Sequence, residues 1–418
     1  MVANTRGSKR PDSDMQSDKD PVSFKPPEEV AREEEVIDLA NGPDAAPKDS
    51  KKPKNRKSLP NPFIPIKAWW SGLTKRQKII AGAAGAIIIL LLAGGGYKLL
   101  HKNPSKPALV VKKEEKKVPP KPTTEPSHLT GVIVPVEDNL LPVTAIMIEN
   151  SPDARPQSGL KDAGVVFEAV AEGGITRFLT LFQEAQPDYV GPVRSVRPYY
   201  IKWLQGFDAA VAHVGGSAEA LDNIGTQGVK DLDQFYNSGA YHRITERYAP
   251  HNVYTSLASL LDLEKSKGYT SSNFTGFLRK ADKPVASPTA KSIDFAISGP
   301  LYNAHYDYDA ASNSYLRSEG GTPHTDERSG QQIKPKVVIA LVMPKGLDPD
   351  GIHTTYATIG SGTAYFFQDA MVVQGTWSKA SDKEQFRFVD GNGSPMALNA
   401  GQTWISVVGA ATDVSYAP

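Results

Sequence analysis

The sequence predicts an α+β protein with a disordered N-terminal tail, one transmembrane helix, a mixed α/β domain and a mostly antiparallel β domain. Three observations carry that prediction. Residues 79–96 read IIAGAAGAIIILLLAGGG, an apolar run that no charge interrupts. At Thr130 the composition changes from Pro/Lys/Glu-rich sequence to apolar runs with strand and helix periodicity. Beyond about residue 290, strand-like runs recur between polar turns and the helical patterns stop.

Residues 1–74 form the expected disordered cytoplasmic tail. They are polar, rich in Pro, Lys, Asp and Glu, and poor in aromatics, so they cannot bury enough apolar surface to offset the entropy of ordering. The acidic stretch EEVAREEEVID at 28–38 is compatible with a transient helix. Trp69 and Trp70 are of the type that favours a membrane–water boundary.

Residues 75–101 are the expected membrane span. Eighteen residues at ~1.5 Å rise cover roughly 27 Å, close to the hydrocarbon thickness of a bilayer. Flanking charge is evenly divided, with Lys67, Lys75, Arg76 and Lys78 before the run and Lys98, Lys102, Lys106 and Lys112 after it. Further upstream, Lys51, Lys52, Lys54, Arg56 and Lys57 tip the balance toward a cytoplasmic N-terminus. Small-residue pairs such as Ala81 and Gly85 are a weak signal for helix–helix approach. Residues 102–129 follow as a Lys/Pro-rich, semi-rigid stalk.

Residues 130–281 form the expected α/β domain. Strands are predicted at 144–149, 164–168, 178–182 and 209–213. Helices are predicted at 199–205, 217–224 and 256–266, with Ser217 and Ser256 as N-caps. DKPVASPT at 282–289 reads as a hinge. Residues 290–418 form the expected antiparallel β domain, with strands near 293–297, 302–308, 315–318, 337–343, 354–359, 364–367, 371–377, 386–389 and 404–408.

Charge and composition exclude several functions. The net charge of +1 hides a division, since residues 1–129 carry +9 and residues 130–418 carry −8. An acidic folded body is a poor nucleic-acid surface, which needs clustered Lys and Arg. The absence of cysteine excludes disulfides, thiolate metal sites, cysteine nucleophiles and lipid attachment through cysteine.

The densest polar cluster lies in the first domain. Glu149 and Asn150 end a strand and precede Arg155; Glu172 and Arg177 flank a turn between strands. Arg194, Ser195 and Arg197 lead into a helix, and His213 to Ser217 span a strand-to-helix turn. Polar residues and glycines at strand ends are how such folds build sites. The arginines either bind a carboxylate or phosphate in bidentate fashion, or pair with Glu149, Glu168 and Glu172 as scaffold salt bridges. His213 is a weak candidate general base and Glu172 a weak catalytic carboxylate, while Ser217 is more simply a helix cap than a nucleophile. No His-Glu-x-x-His is present, and His324-Thr-Asp326 alone is a weak ligand pair, so neither a metal nor a cofactor is expected. Tyr199, Tyr200, Trp203, Phe207, Trp377 and Trp404 offer rings for stacking on sugars or for core packing.

Five linked motifs, VTAIMIENSPDARPQSGL, DAGVVFEAVAEGGITRFLTLF, GPVRSVRPYYIKW, DAAVAHVGGS and APHNVYTS, resemble the YerB-like bacterial envelope proteins, a two-part domain of unknown function usually found as a surface lipoprotein. The similarity continues through YNAHYDYDAASNSYLR, GGTPHTDERSGQQI and GQTWISVV, and covers most of residues 142–408. The anchor departs from that pattern, because this chain has no cysteine to carry a lipid. The resemblance implies an extracytoplasmic location and supplies no reaction.

The expected function is therefore that of a membrane-anchored extracytoplasmic envelope protein, single-pass with its N-terminus in the cytoplasm. Near the cell wall it would bind an anionic or glycan-like ligand, or a partner protein. Glu149, Asn150, Arg155, Glu172, Arg177, Arg194, Ser195, Arg197, His213 and Ser217 are the candidate binding residues. An extracytoplasmic hydrolase of wall polymer and a trans-membrane assembly adaptor are the alternatives.

Overall fold

Strand β1 (Thr144–Glu149) is TAIMIE, buried along its whole length, and it forms because apolar and β-branched residues fill both faces of a central strand. β2 (Val165–Glu172) and β3 (Ile175–Phe182), which make a hairpin, are buried in the same way except at their turn-side ends, Glu172 and Ile175. The turn between them contains Gly173 and Gly174, whose φ values of 56° and 81° need residues without a Cβ penalty. These strands come from a computed structural model that describes residues 72–80, 82–84, 86, 88–89 and 122–418.

The remaining strands of the main sheet are β4 (Ala210–Ala212), β5 (Lys230–Asp231), β10 (Val337–Val342), β11 (Gly360–Gln368), β12 (Met371–Lys379), β13 (Arg387–Asp390) and β14 (Thr403–Val408). They make one ten-stranded sheet in the order β13-β12-β11-β10-β14-β2-β3-β1-β4-β5. A second, five-stranded sheet has the order β9-β8-β7-β6-β15, from β6 (Ser292–Phe295), β7 (Ala304–Asp309), β8 (Ser314–Glu319), β9 (Thr322–Pro323) and β15 (Val414–Ala417). Helix α1 (Pro198–Leu204) has seven residues; α2 (Ala218–Gln227) and α3 (Leu257–Ser266) have ten each.

Alternation along the strands sends side chains into two cores. Ala145, Met147, Val165, Phe167 and Ile405 pack with Tyr199, Tyr200 and Trp203 of α1 and with Ala220 and Ile224 of α2. Ile146, Ile148, Val166, Phe178 and Trp404 pack with Phe295, Tyr306 and Tyr315 of the second sheet and with Leu257 and Leu260 of α3. The main sheet is thus the middle of three layers. Each fully buried aromatic contributes about 1.5–3 kcal/mol.

The fold class differs from the α+β expectation. Between residues 122 and 418 the chain is mostly β, and its three α-helices have only seven to ten residues each. Strand β14 pairs in parallel with β2, Thr403 opposite Val165 and Ser406 opposite Glu168, and β10 pairs in parallel with β14. Segments on either side of the expected boundary therefore share one sheet, and residues 122–418 belong to one compact unit. The proposed hinge is pinned, with Lys283 N donating to Asp369 Oδ1 and Thr289 N to Ala370 O.

The expected transmembrane helix is likewise corrected. Among the described residues no helix is long and apolar enough to cross a membrane. Of the segment 75–101, residues 75–80, 82–84, 86 and 88–89 are helical, and the rest lies outside the described residues. Residues 1–71, read as disordered, lie outside them too, as does the expected stalk up to residue 121. The end of that stalk is ordered structure, since Thr124–Pro126 pairs antiparallel with Ile133–Pro135.

Candidate functional site

Of the candidate binding residues singled out in the sequence, all but His213 and Ser217 fall into two networks. The first forms where β1, β3 and the lead-in to α1 meet. A register shift in the β2–β3 ladder between Val170 and Glu172 re-aims the end of β2. The Glu172 carboxylate then bridges two guanidiniums: Arg177 Nη2 lies 2.5 Å from Oε1, while Arg197 Nη2 and Nε lie 2.9 and 3.0 Å from Oε2. Arg177 Nη1 also donates to the Ser195 carbonyl at 2.7 Å, and Arg197 Nη1 to that of Val196 at 3.0 Å. Both arginines are 2 % exposed. Burial pushes the Glu172 carboxyl up, but Arg177 and Arg197 outweigh it and hold the pKa down at about 2. Glu149, opposite Arg177 in the β1–β3 ladder, accepts from Ser151 Oγ at 3.0 Å and pairs with His251 Nδ1 at 2.9 Å and Arg194 Nε at 3.6 Å. Its pKa is lowered: burial raises it, and His251 and Arg194 more than offset that.

The second network lies between the main sheet and the second sheet. Its centre is Arg317 of β8, fully buried, whose Nη2 lies 2.9 and 3.0 Å from the two oxygens of Glu168. Glu168 also accepts from Trp404 Nε1 at 2.9 Å and Ser406 Oγ at 3.0 Å, so β2, β8 and β14 converge on one carboxylate. Arg317 Nη1 donates to His324 Nδ1, and His324 Nε2 in turn donates to Gln157 Oε1 at 2.9 Å. Burial and then Arg317 depress the His324 pKa well below the ordinary value, so the ring is neutral. Asn150 Nδ2 donates to Thr176 Oγ1 and to Glu319 Oε1, both at 2.6 Å, and Asn150 Oδ1 accepts from Arg155 Nε and Gln157 Nε2.

Glu319 ends β8 on the same face as Tyr315 and Arg317, and it is 3 % exposed. Its Oε1 lies 3.5 Å from Arg155 Nη2 and 3.5 Å from Arg317 Nη2. Its Oε2 is buried and has no hydrogen-bond partner among the described residues. Burial raises the Glu319 pKa, the neighbouring arginines only partly opposing it. Above Glu319 opens a pocket of about 200 Å³ lined by Arg155, Pro156, Glu319, Thr322, Pro323, His324 and Thr325. A wider depression of about 440 Å³, between Tyr236–Ala240 and Ser259–Leu263, shares no residue with either network.

His213 and Ser217 stand apart from this pocket. His213 is fully buried, its Nδ1 2.8 Å from the Gly215 carbonyl and its Nε2 3.0 Å from Asp231 Oδ1. Both ring nitrogens lie against acceptors within the protein, so neither is turned toward a substrate. Ser217 caps α2, its side chain accepting from Ala220 N at 3.4 Å. His324 and Asp326 diverge: Asp326 accepts from Gly159 N, Ser329 N and Ser329 Oγ and so shapes a turn. Among the described residues no group of three His, Asp or Glu side chains is placed to hold a metal.

Sequence reasoning therefore missed Arg317 and Glu319, while Gln157, which follows Arg155 in the polar cluster, does join the network. A signal existed in SYLRSE, where Arg and Glu alternate with Tyr at a period of two, putting two charges on the buried face of a strand.

Relatives share these segments. The chain matches the family described as protein of unknown function (DUF3048), its N-terminal domain over residues 129–270 and its C-terminal domain over residues 293–405. It is 31 % identical over 271 residues to "Putative lipoprotein YerB" of Bacillus subtilis (strain 168), covering 63 % of this chain and 80 % of that protein. A crystal structure of the YerB protein from Bacillus subtilis superposes with a TM-score of 0.63 at 27 % identity, covering 70 % of this chain and 99 % of that one. With both halves of the family matched in order, this chain belongs to the YerB-like DUF3048 proteins, a two-part family of unknown function.

Proposed function

We propose that the protein is a non-catalytic, extracytoplasmic, envelope-associated binding protein, whose ligand site is the pocket between Arg155 and Glu319. The observation that carries this reading is an open pocket of about 200 Å³ whose lining brings the Arg155 side chain from one half of the chain against the Glu319 carboxylate from the other. The name of the Bacillus subtilis relative, a lipoprotein, supports placement at the outer side of a membrane. Binding is favoured over hydrolysis because the candidate base His213 has both nitrogens engaged.

The test is retention of the full-length protein on isolated envelope material. Arg155→Ala should lose retention per folded molecule, at some cost in stability from its bonds to Asn150 and Leu301, and no soluble product should be released. Equal retention of both proteins, or steady release of product, would overturn the reading. Protease added to intact cells should also degrade residues 122–418; their protection until lysis would contradict the location.

A further inference from the structure

We infer that helix α3 is a pH-sensitive latch, which docks firmly on the main sheet while Glu264 is protonated and loosens once that carboxyl ionises.

The helix meets the sheet through Leu257, Leu260 and Glu264, whose spacing of three and then four residues puts them on one face. All three are fully buried. Two of these positions carry leucine, and the third carries an acid where a core-facing helix position calls for an apolar side chain. Glu264 Oε1 lies 2.9 Å from the hydroxyl of Thr144, which opens β1 and stands between Phe182 and Ala210 of the neighbouring strands. Oε2 is buried without a hydrogen-bond partner among the described residues. One hydroxyl suffices for a neutral acid and is far too little to replace the water around a carboxylate.

The groups facing Glu264 do not make up the deficit. Thr144 and the Ser238–Ala240 turn, which packs against α3, bring no titratable side chain. Lys230 of β5 is near enough to act on the carboxyl. Its Nζ, however, is committed to Asp208 Oδ2 and to the carbonyls of Asp208 and Ser271, each at 2.9 Å. Tyr241 also feels the Glu264 charge, and its hydroxyl donates to the Leu232 carbonyl. Tyr269 meets Glu264 through the backbone, its N–H donating to the Glu264 carbonyl at 2.8 Å. Asp262 and Lys265 on α3, and Lys267 just beyond it, are exposed. Burial therefore outweighs the Thr144 hydroxyl and Lys230, and the Glu264 pKa rises from 4.5 to about 7.

Linkage gives the direction. An undocked Glu264 sits in water and returns to the ordinary 4.5. Below that value both states are neutral, and docking has its full strength. Between 4.5 and about 7 the undocked state releases its proton while the docked state keeps it, so docking weakens as pH rises. Above about 7 both are ionised and the loss is complete. Helix α3 also supplies Ser259, Asp262 and Leu263 to one wall of the 440 Å³ depression, so the latch controls the shape of that surface.

Amide hydrogen exchange of the full-length protein tests this, read by mass spectrometry between pH ~5 and ~8 and corrected for the intrinsic pH dependence of exchange. Peptides covering α3 should open about five- to tenfold more often per pH unit between pH ~5 and ~6.5, and about 50-fold more often over the whole range, levelling off above ~7.5. Peptides covering β2 should show no such change. Glu264→Gln, which copies the neutral acid, should flatten the dependence and keep α3 docked at every pH. Glu264→Leu, apolar on an apolar face, should do the same. Exchange of α3 that does not vary with pH overturns the latch, and so does an undiminished dependence in either variant. A dependence shared equally by β2 would mean that the carboxyl acts on the whole fold, which also overturns it.

Discussion

Replacing Glu172 by Gln isolates one carboxylate that serves two buried arginines. Gln keeps the shape and removes the charge, so Arg177 and Arg197, each 2 % exposed, lose the counter-charge 2.5–3.0 Å away. The pKa of Glu172 falls from the ordinary 4.5 to about 2 in the folded protein, a drop of about 2.5. At ~1.36 kcal/mol per pKa unit that is about 3 kcal/mol of stability. Leaving two buried charges unpaired sets a similar scale, about 3–5 kcal/mol. The sign follows from linkage. Because the folded-state pKa is depressed, the contribution is fully present above the unfolded value of 4.5 and is lost as pH falls through about 2. Urea unfolding of wild type and Glu172→Gln as a function of pH measures it. Near neutrality the variant should be less stable by about 3 kcal/mol, and the gap should shrink below pH ~4.5 until the two proteins coincide near pH ~2. A gap that stays constant with pH, or a variant as stable as wild type at neutral pH, would refute the ion-pair account.

Three other substitutions follow from the same geometry. Arg317→Ala strands the fully buried Glu168 carboxylate with only Trp404 and Ser406 as donors, and should lower the unfolding free energy by about 3–5 kcal/mol, with Trp404 fluorescence reporting the change. His213→Ala removes hydrogen bonds to Gly215 and Asp231. It should cost about 1–3 kcal/mol in denaturant while envelope retention per folded molecule stays unchanged; lost retention in a fully folded variant would place His213 in the site instead. Ser217→Ala deletes the cap of α2 and should cost about 1 kcal/mol, read as a lower melting temperature with envelope retention per folded molecule intact.

By itself the sequence determined the local elements. TAIMIE at 144–149 is a strand, Ser217 and Ser256 cap their helices, and Thr403–Val408 is a strand. Each of these depends on side-chain period and capping within a few residues, and such signals are written contiguously. The motifs also identified the family. The second network was decided only by the tertiary structure. Glu168 and Arg317 are 149 residues apart in the chain, and Glu168 and Trp404 are 236 apart. They meet because β14 enters in parallel beside β2 and the second sheet covers that face. Parallel pairing between distant segments is set by which faces must be buried together, and no local pattern encodes it. The same reason explains why strands from both expected domains share the main sheet. It also explains why the arginines of the first domain are only half the story: the carboxyl that opens onto the pocket is carried by β8, and only packing brings it to Arg155.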